Sequence, residues 1–188
     1  MKTLYIIAGC NGAGKTTAAY TILPEIWQCQ EFVNADEIAR GLSPFNPESV
    51  AIQAGRLMLE RIETLLEQQK SFAIETTLAT RSYVQLVRKA HAKGYCVQLL
   101  FFWLNSPEVA IQRVAKRVAE GGHDIPKEVI KRRYRAGIRN FFELYKDIVD
   151  SWIVVDNGHN PRKAIATKDE IIDLTNFQYF KQCYDQEE

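Results

Sequence analysis

Eight consecutive residues, Gly9-Cys10-Asn11-Gly12-Ala13-Gly14-Lys15-Thr16, restrict what this chain can fold into more than any other stretch. The apolar run Leu4-Tyr5-Ile6-Ile7-Ala8 before them has the length of a buried strand, and Thr17-Ala18-Ala19-Tyr20 after them suits the start of a helix. Strand, glycine-rich loop, lysine, hydroxyl and helix, in that order, is the P-loop arrangement. Its glycines reach backbone angles that other residues resist, so successive amides turn into one concavity. That concavity lies at a helix N-terminus, where unpaired amides and the helix dipole favour an anion. Gly9, Asn11, Gly12, Ala13 and Gly14 are therefore expected around the phosphates of ATP or GTP, with Thr17 just inside the helix. Lys15 adds a full charge beside the β- and γ-phosphates, and the Thr16 hydroxyl is a ligand for Mg²⁺.

The rest of the chain alternates apolar runs with amphipathic stretches. Short strands are expected at 31–33, 72–74 and 152–155, and a longer one at 95–104 whose nearly continuous apolar character suits burial on both faces. Between them, Asn46-Pro47-Glu48 starts a helix carrying Ala54, Leu57, Met58, Ile62 and Leu65 on one face. Further helices are expected at 82–93, from Ser106-Pro107-Glu108 to the stop at Gly121-Gly122, and from Pro126 to about 146. This pattern predicts an α/β P-loop NTPase fold: a mostly parallel five-stranded sheet flanked by helices. One domain is expected over 1–188, with a helical lid at about 106–146 and a helical tail at about 161–188.

In such sheets ligands sit beyond the carboxyl ends of the strands, so the strand-end residues Asp36, Glu75, Asn105 and Asp156 are the ones to inspect. Asp36 is positioned to accept the proton of an attacking hydroxyl. It could equally cap a short helix over 37–40. Glu75, directly after Phe72-Ala73-Ile74, needs a partner such as Mg²⁺ or a substrate hydroxyl. Arg113 and Arg117 are four apart and share a helix face, and Gly121-Gly122 beyond them permits a hinged lid that brings arginines over the phosphates. Arg132, Arg133, Arg135 and Arg139 lie on the following helix, with Arg132, Arg135 and Arg139 near one face; a solvated basic face is the usual reading of such a run and a phosphate role its rival, and His123 is a weak phosphate contact.

Composition excludes more than it assigns. A formal net charge of +1 gives no global reason to expect nucleic acid, although residues 113–139 hold nine Lys or Arg against three Asp or Glu. Cys10, Cys29, Cys96 and Cys183 form no CxxC pair, so reduced thiols in a cytoplasmic protein are expected, with Cys10 as loop filler. No leader segment is expected ahead of the first strand, and the apolar run at 97–104 is too short to cross a membrane. No metal cluster and no nucleophile–histidine set can be assembled from the three histidines. Two rivals to a small-molecule kinase remain. A regulatory module would need Lys15 without Asp36, Glu75 or Arg117. A polynucleotide 5′-kinase is disfavoured by the near-neutral charge.

With these residues in place, the chain resembles the zeta-toxin-like branch of small P-loop kinases. The resemblance rests on GCNGAGKTT at 9–17, NADEIARG at 34–41, IETTL at 74–78 and RVAKRVAEGGHDIPKEVIKRRY at 113–134. It implies phosphorylation of a hydroxyl of a sugar nucleotide resembling UDP-N-acetylglucosamine, and an antitoxin protein as partner. It also implies Lys15 and Thr16 as holders of nucleotide and Mg²⁺, Asp36 as base, Glu75 as the acid after the third strand, and Arg113 or Arg117 as lid arginine. Where the family's toxins often have Glu-Gly-Thr followed by arginine, this chain reads Glu75-Thr76-Thr77-Leu78-Ala79.

Overall fold

A computed structural model describes residues 1–122, 124–159 and 161–185. Five parallel strands form the sheet that the apolar runs predict: β1 (Thr3–Gly9), β2 (Phe32–Val33), β3 (Phe72–Thr76), β4 (Cys96–Trp103) and β5 (Ser151–Asp156). A sixth strand, β6 (Lys163–Thr167), runs antiparallel beside β5, giving the order β2-β3-β1-β4-β5-β6. The helices are α1 (Lys15–Thr21), α2 (Ala35–Leu42), α3 (Ala51–Glu67), α4 (Tyr83–Ala92), α5 (Pro107–Ala119), α6 (Lys127–Asn140) and α7 (Leu174–Asp185).

The sheet therefore has six strands where the sequence predicts five, and the tail is not helical from 161. Lys163-Ala164-Ile165-Ala166-Thr167 mixes the strand formers Ile165 and Thr167 with Lys163, Ala164 and Ala166, which are depleted in strands, and is too short to read as one by itself. It pairs because β5 offers an open edge and because Ile165 and Ala166 become fully buried there. The register of this antiparallel pairing shifts between Val154 and Val155, an irregularity of the kind found at sheet edges. Helix α6 likewise stops at Asn140, and Phe141–Tyr145 continues as a wider π-helical turn that turns Phe141 and Tyr145 into the core.

β1 lies between β3 and β4, so neither of its edges is open, and Leu4, Ile6 and Ile7 are fully buried. That central place brings the glycine-rich loop after β1 between the ends of its two neighbours. The carboxyl ends of all five parallel strands open on one rim, with Asn34 after β2, Glu75 in β3, Asn105 after β4 and Asp156 closing β5.

Helix α6 is held on this rim through the loop after β3. Asn140 Nδ2 donates to Leu78 O at 2.8 Å, and Tyr145 Oη donates to Thr80 O at 2.8 Å. Gly137 approaches so closely that an added Cβ would lie 2.6 Å from Thr77 O. Alanine normally strengthens a helix interior relative to glycine. Here the overpacking dominates, and Gly137→Ala is expected to cost about 1–3 kcal/mol. A thermal-denaturation midpoint lowered by roughly 2–10 °C is the corresponding measurement; an unchanged or raised midpoint would show that α6 is not seated on Thr77.

Candidate functional site

The loop after β1 folds as its sequence requires. Gly9 has φ +140°, and a Cβ there would fall 2.3 Å from Phe102 O, so only glycine lets β1 turn beside β4. Gly14 sits at the N-cap of α1 with φ +79° and offers no side-chain cap to the first helical amides. Those amides therefore face the rim ready for an anion.

Lys15 is only 6% exposed. Its Nζ donates to Cys10 O at 3.0 Å and lies 3.6 Å from Glu75 Oε1. The other carboxylate oxygen, Glu75 Oε2, accepts from Thr16 Oγ1 at 2.8 Å and from Asn34 Nδ2 at 2.9 Å. A nearly buried carboxylate is thus matched by an ammonium, a hydroxyl and an amide, which offsets its desolvation. Hydroxyl and carboxylate oxygens side by side form the hard donor set that suits Mg²⁺, which keeps several waters and shares phosphate oxygens. Among the described residues no group of three or more His, Cys, Asp or Glu is placed to hold a metal by itself.

A cleft of about 930 Å³ opens above this cluster. Lys15, Thr16, Glu75 and Asp36 all line it. Asp36 is exposed in the first turn of α2, and the helix is capped by Asn34, whose Oδ1 accepts from Asp36 N at 2.8 Å and Glu37 N at 3.4 Å. The cap is therefore Asn34 and not Asp36, so the Asp36 carboxylate is not engaged in ending the helix. Asn34 is a site residue that the sequence reading missed as such. Its position immediately before an Ala-Asp-Glu helix start was the available signal. Its second role, donating to Glu75, depends on β2 lying beside β3.

The arginines divide differently from the sequence expectation. Arg113 lines the cleft, and its Nη2 donates to Asn157 O at 2.7 Å. Asn157 in turn donates from Nδ2 to Ala13 O at 2.7 Å, tying α5, the phosphate loop and the turn after β5 together. Arg117 also lines the cleft. Gly121, at φ +85°, and Gly122 close the end of α5 by donating to Val118 O and Arg117 O at 2.9 and 2.8 Å. They form the helix stop expected at this point. Arg133 was expected on a solvated face, yet its Nη1 reaches Asn11 Oδ1 at 3.2 Å and it lines the same cleft. Arg132, Arg135 and Arg139 line a separate hollow on the other side of α6. Helical spacing sets Arg132, Arg135 and Arg139 near one face and leaves Arg133 off it; the seating of α6 then turns Arg133 toward the cleft.

Other strand-end residues are used by the fold. Asp156 is buried, with Oδ1 accepting from Gly158 N at 2.7 Å and Oδ2 lying 3.2 Å from His159 Nδ1. Thr76 Oγ1 accepts from Leu78 N at 2.9 Å and shapes the turn after β3. His91 pairs with Asp150 at 2.9 Å, far along the sequence from the cleft residues. His123 lies outside the described residues. No helix among the described residues is long and apolar enough to cross a membrane.

The family model described as Zeta toxin matches residues 1–162. A Haemophilus influenzae protein described as uncharacterized is 32% identical over 126 residues, which is 67% of this chain and 88% of that protein. Among solved structures, the AvrRxo1-ORF1:-ORF2 complex with ATP is similar at a TM-score of 0.77 and 16% identity, over 96% of this chain. The match spans 63% of the AvrRxo1 chain, less than two thirds of its length. The PezAT chromosomal toxin–antitoxin system of Streptococcus pneumoniae is similar at a TM-score of 0.70 and 17% identity, over 100% of this chain and 80% of that one. At these identities the two structures establish the shared fold.

Burial holds the Cys10 thiol up at about 11, against the opposing pull of the Lys15 charge. The group stays protonated below that value, so it is neither a nucleophile nor a ready oxidation site at neutral pH. At pH 8 a thiol-specific disulfide reagent should therefore label the folded protein without touching Cys10, and should reach it only on unfolding. Rapid labelling of Cys10 in the native protein, read by peptide mass, would contradict the buried thiol.

Proposed function

The chain belongs to the zeta toxin family, and on that premise we propose that it transfers the γ-phosphate of ATP or GTP to a hydroxyl of a small metabolite. Nucleotide-dependent phosphotransfer is the activity class of this family and fold. The acceptor and the role of each residue belong to the proposal. The observation that supports it most is the carboxylate of Glu75, 3.6 Å from Lys15 and 2.8 Å from Thr16, in the cleft that Asp36 also lines.

In this reading the amides at the start of α1 and the Lys15 ammonium hold the β- and γ-phosphates. Lys15 exchanges Cys10 O and Glu75 for phosphate oxygens when nucleotide arrives. Thr16 and Glu75 are the residues that would hold Mg²⁺, which when bound neutralises charge between the β- and γ-phosphates. Asp36 accepts the proton of the acceptor hydroxyl. The acceptor oxygen then bonds to the γ-phosphorus as the bond to the bridging oxygen breaks and the nucleoside diphosphate leaves. Arg117 and Arg133 supply positive charge around the transferring group. Arg113 acts on position, holding the Asn157 turn against the phosphate loop.

ATP is the first choice of nucleotide, since the AvrRxo1 complex contains it. An antitoxin protein is a partner to seek, since PezAT is a toxin–antitoxin system. Sugar nucleotides such as UDP-N-acetylglucosamine head the acceptor panel on the family resemblance, and a cytoplasmic location is part of the proposal, supported by four cysteines without a disulfide.

Asp36→Asn should bind ATP nearly as well as the wild type and transfer phosphate at least about a hundredfold more slowly. Lys15→Ala should lose nucleotide binding itself. Equal turnover in Asp36→Asn, measured by γ-phosphate transfer across the acceptor panel, removes Asp36 from the mechanism. Arg133→Ala should slow transfer about a hundredfold; Arg132→Ala, on the far side of α6, should not, and equal losses in the two would argue against a role for Arg133 in the cleft.

A further inference from the structure

The turn after β5 reaches the part of the phosphate loop whose orientation decides how an anion is held. Asn157 Nδ2 donates to Ala13 O at 2.7 Å. The peptide joining Ala13 to Gly14 is planar and trans, so its C=O and N–H point in opposite directions. A carbonyl fixed toward Asn157 therefore directs the Gly14 amide the other way. Gly14 lines the cleft, and Asn157 is not among its walls. The side of Gly14 that a side chain would take is filled by the same Asn157 amide, since an added Cβ would lie 2.7 Å from Nδ2.

The backbone bonds on either side of this peptide do not fix its orientation. Ala13 N donates to Cys10 O at 3.1 Å, and Gly14 O accepts from Ala18 N at 3.1 Å. Both atoms belong to the neighbouring peptides. Turning the Ala13–Gly14 peptide over moves ψ of Ala13 between two regions open to alanine. It also reverses the sign of φ at Gly14, now +79°, and glycine adopts either sign about equally. In the reversed state a carbonyl oxygen would face the phosphates where an amide is needed. The bond from Asn157 favours the state with the amide inward.

Asn157 is itself held on three sides. Its N donates to Trp103 O at 2.9 Å, and its O accepts from Arg113 Nη2 at 2.7 Å. The next amide, Gly158 N, donates to Oδ1 of the buried Asp156 at 2.7 Å. A donor fixed in this way orders the loop before the ligand arrives, and less freedom is lost on binding. We propose that Asn157 is a positioning residue for the triphosphate, its side-chain amide keeping the Gly14 N–H turned toward the phosphates. Arg113 and Asp156 contribute by holding the turn that carries it. This rests on the nucleotide-dependent reading and adds the turn after β5 to its phosphate site.

The test compares the binding of ATP with that of inorganic tripolyphosphate, which carries phosphates and no nucleoside. Asn157→Ala should weaken both by the same factor, about five- to tenfold, as the inward-amide state loses one hydrogen bond. The ATP KM should rise likewise, with kcat and the acceptor KM within about twofold of wild type. Tyr95→Phe serves as the stability control. It gives up bonds to Leu65 O and Lys70 O at the opposite end of the sheet, where Cys96 pairs with Thr3. That variant should melt earlier and keep both affinities. Lys15→Ala, which should bind neither ligand, is the negative control. Weaker ATP with tripolyphosphate unchanged would mean that Asn157 meets the nucleoside, and two unchanged affinities would make it a brace for its own turn. Either result overturns the proposal, as does an equal loss in Tyr95→Phe. A protein that phosphorylates an acceptor with the ATP KM indifferent to Asn157→Ala loses this role and keeps the phosphotransferase reading. One that binds both ligands through Asn157 and phosphorylates nothing in the panel loses the phosphotransferase reading alone.

Discussion

The site depends on one buried carboxylate. Glu75 is 10% exposed near the end of a strand whose first three side chains, Phe72, Ala73 and Ile74, are apolar and buried. An unpaired charge in such a place costs several kcal/mol, enough to be incompatible with a domain of ordinary stability. Lys15, Thr16 and Asn34 relieve that cost together. These three come from two segments, the phosphate loop and the turn after β2. The carboxylate therefore holds three strand ends in one arrangement before any ligand arrives.

The same economy recurs around the loop. Asn157 reaches Ala13 O and Arg133 reaches Asn11 Oδ1, so two flanking segments bond the loop directly, while Arg113 of α5 acts on it through Asn157 O. Phe102 presses its carbonyl against Gly9 so closely that no side chain fits between. A glycine-rich loop alone would sample many conformations, because glycine loses the most freedom on ordering. Here that freedom is removed by neighbours on both sides, and the amides are left pointing one way.

Helix α6 shows how a structural contact becomes functional. Gly137, Asn140 and Tyr145 attach it and the turn after it to the backbone that follows Glu75. Tyr134 adds a bond to Leu104 O at 2.8 Å. Fixing the helix at these points selects which arginine enters the cleft. Arg133 enters and Arg132 does not, although the two are adjacent and chemically identical.

What the sequence by itself determined is whatever depends on short-range pattern. The phosphate loop with Lys15 and Thr16, the five parallel strands, and the strand-end places of Asp36 and Glu75 all follow from residue type and periodicity within a dozen residues. What only the tertiary structure decided is what depends on which segments become neighbours. Asn34 reaches Glu75 across 41 positions, Arg133 reaches Asn11 across 122, and Asn157 reaches Ala13 across 144. β6 forms because the edge of β5 is open, against the weak strand preference of its own residues. The physical reason is the same in each case. A local signal records the preference of the backbone, whereas a long-range hydrogen bond or edge pairing exists only once the sheet order has set the distance.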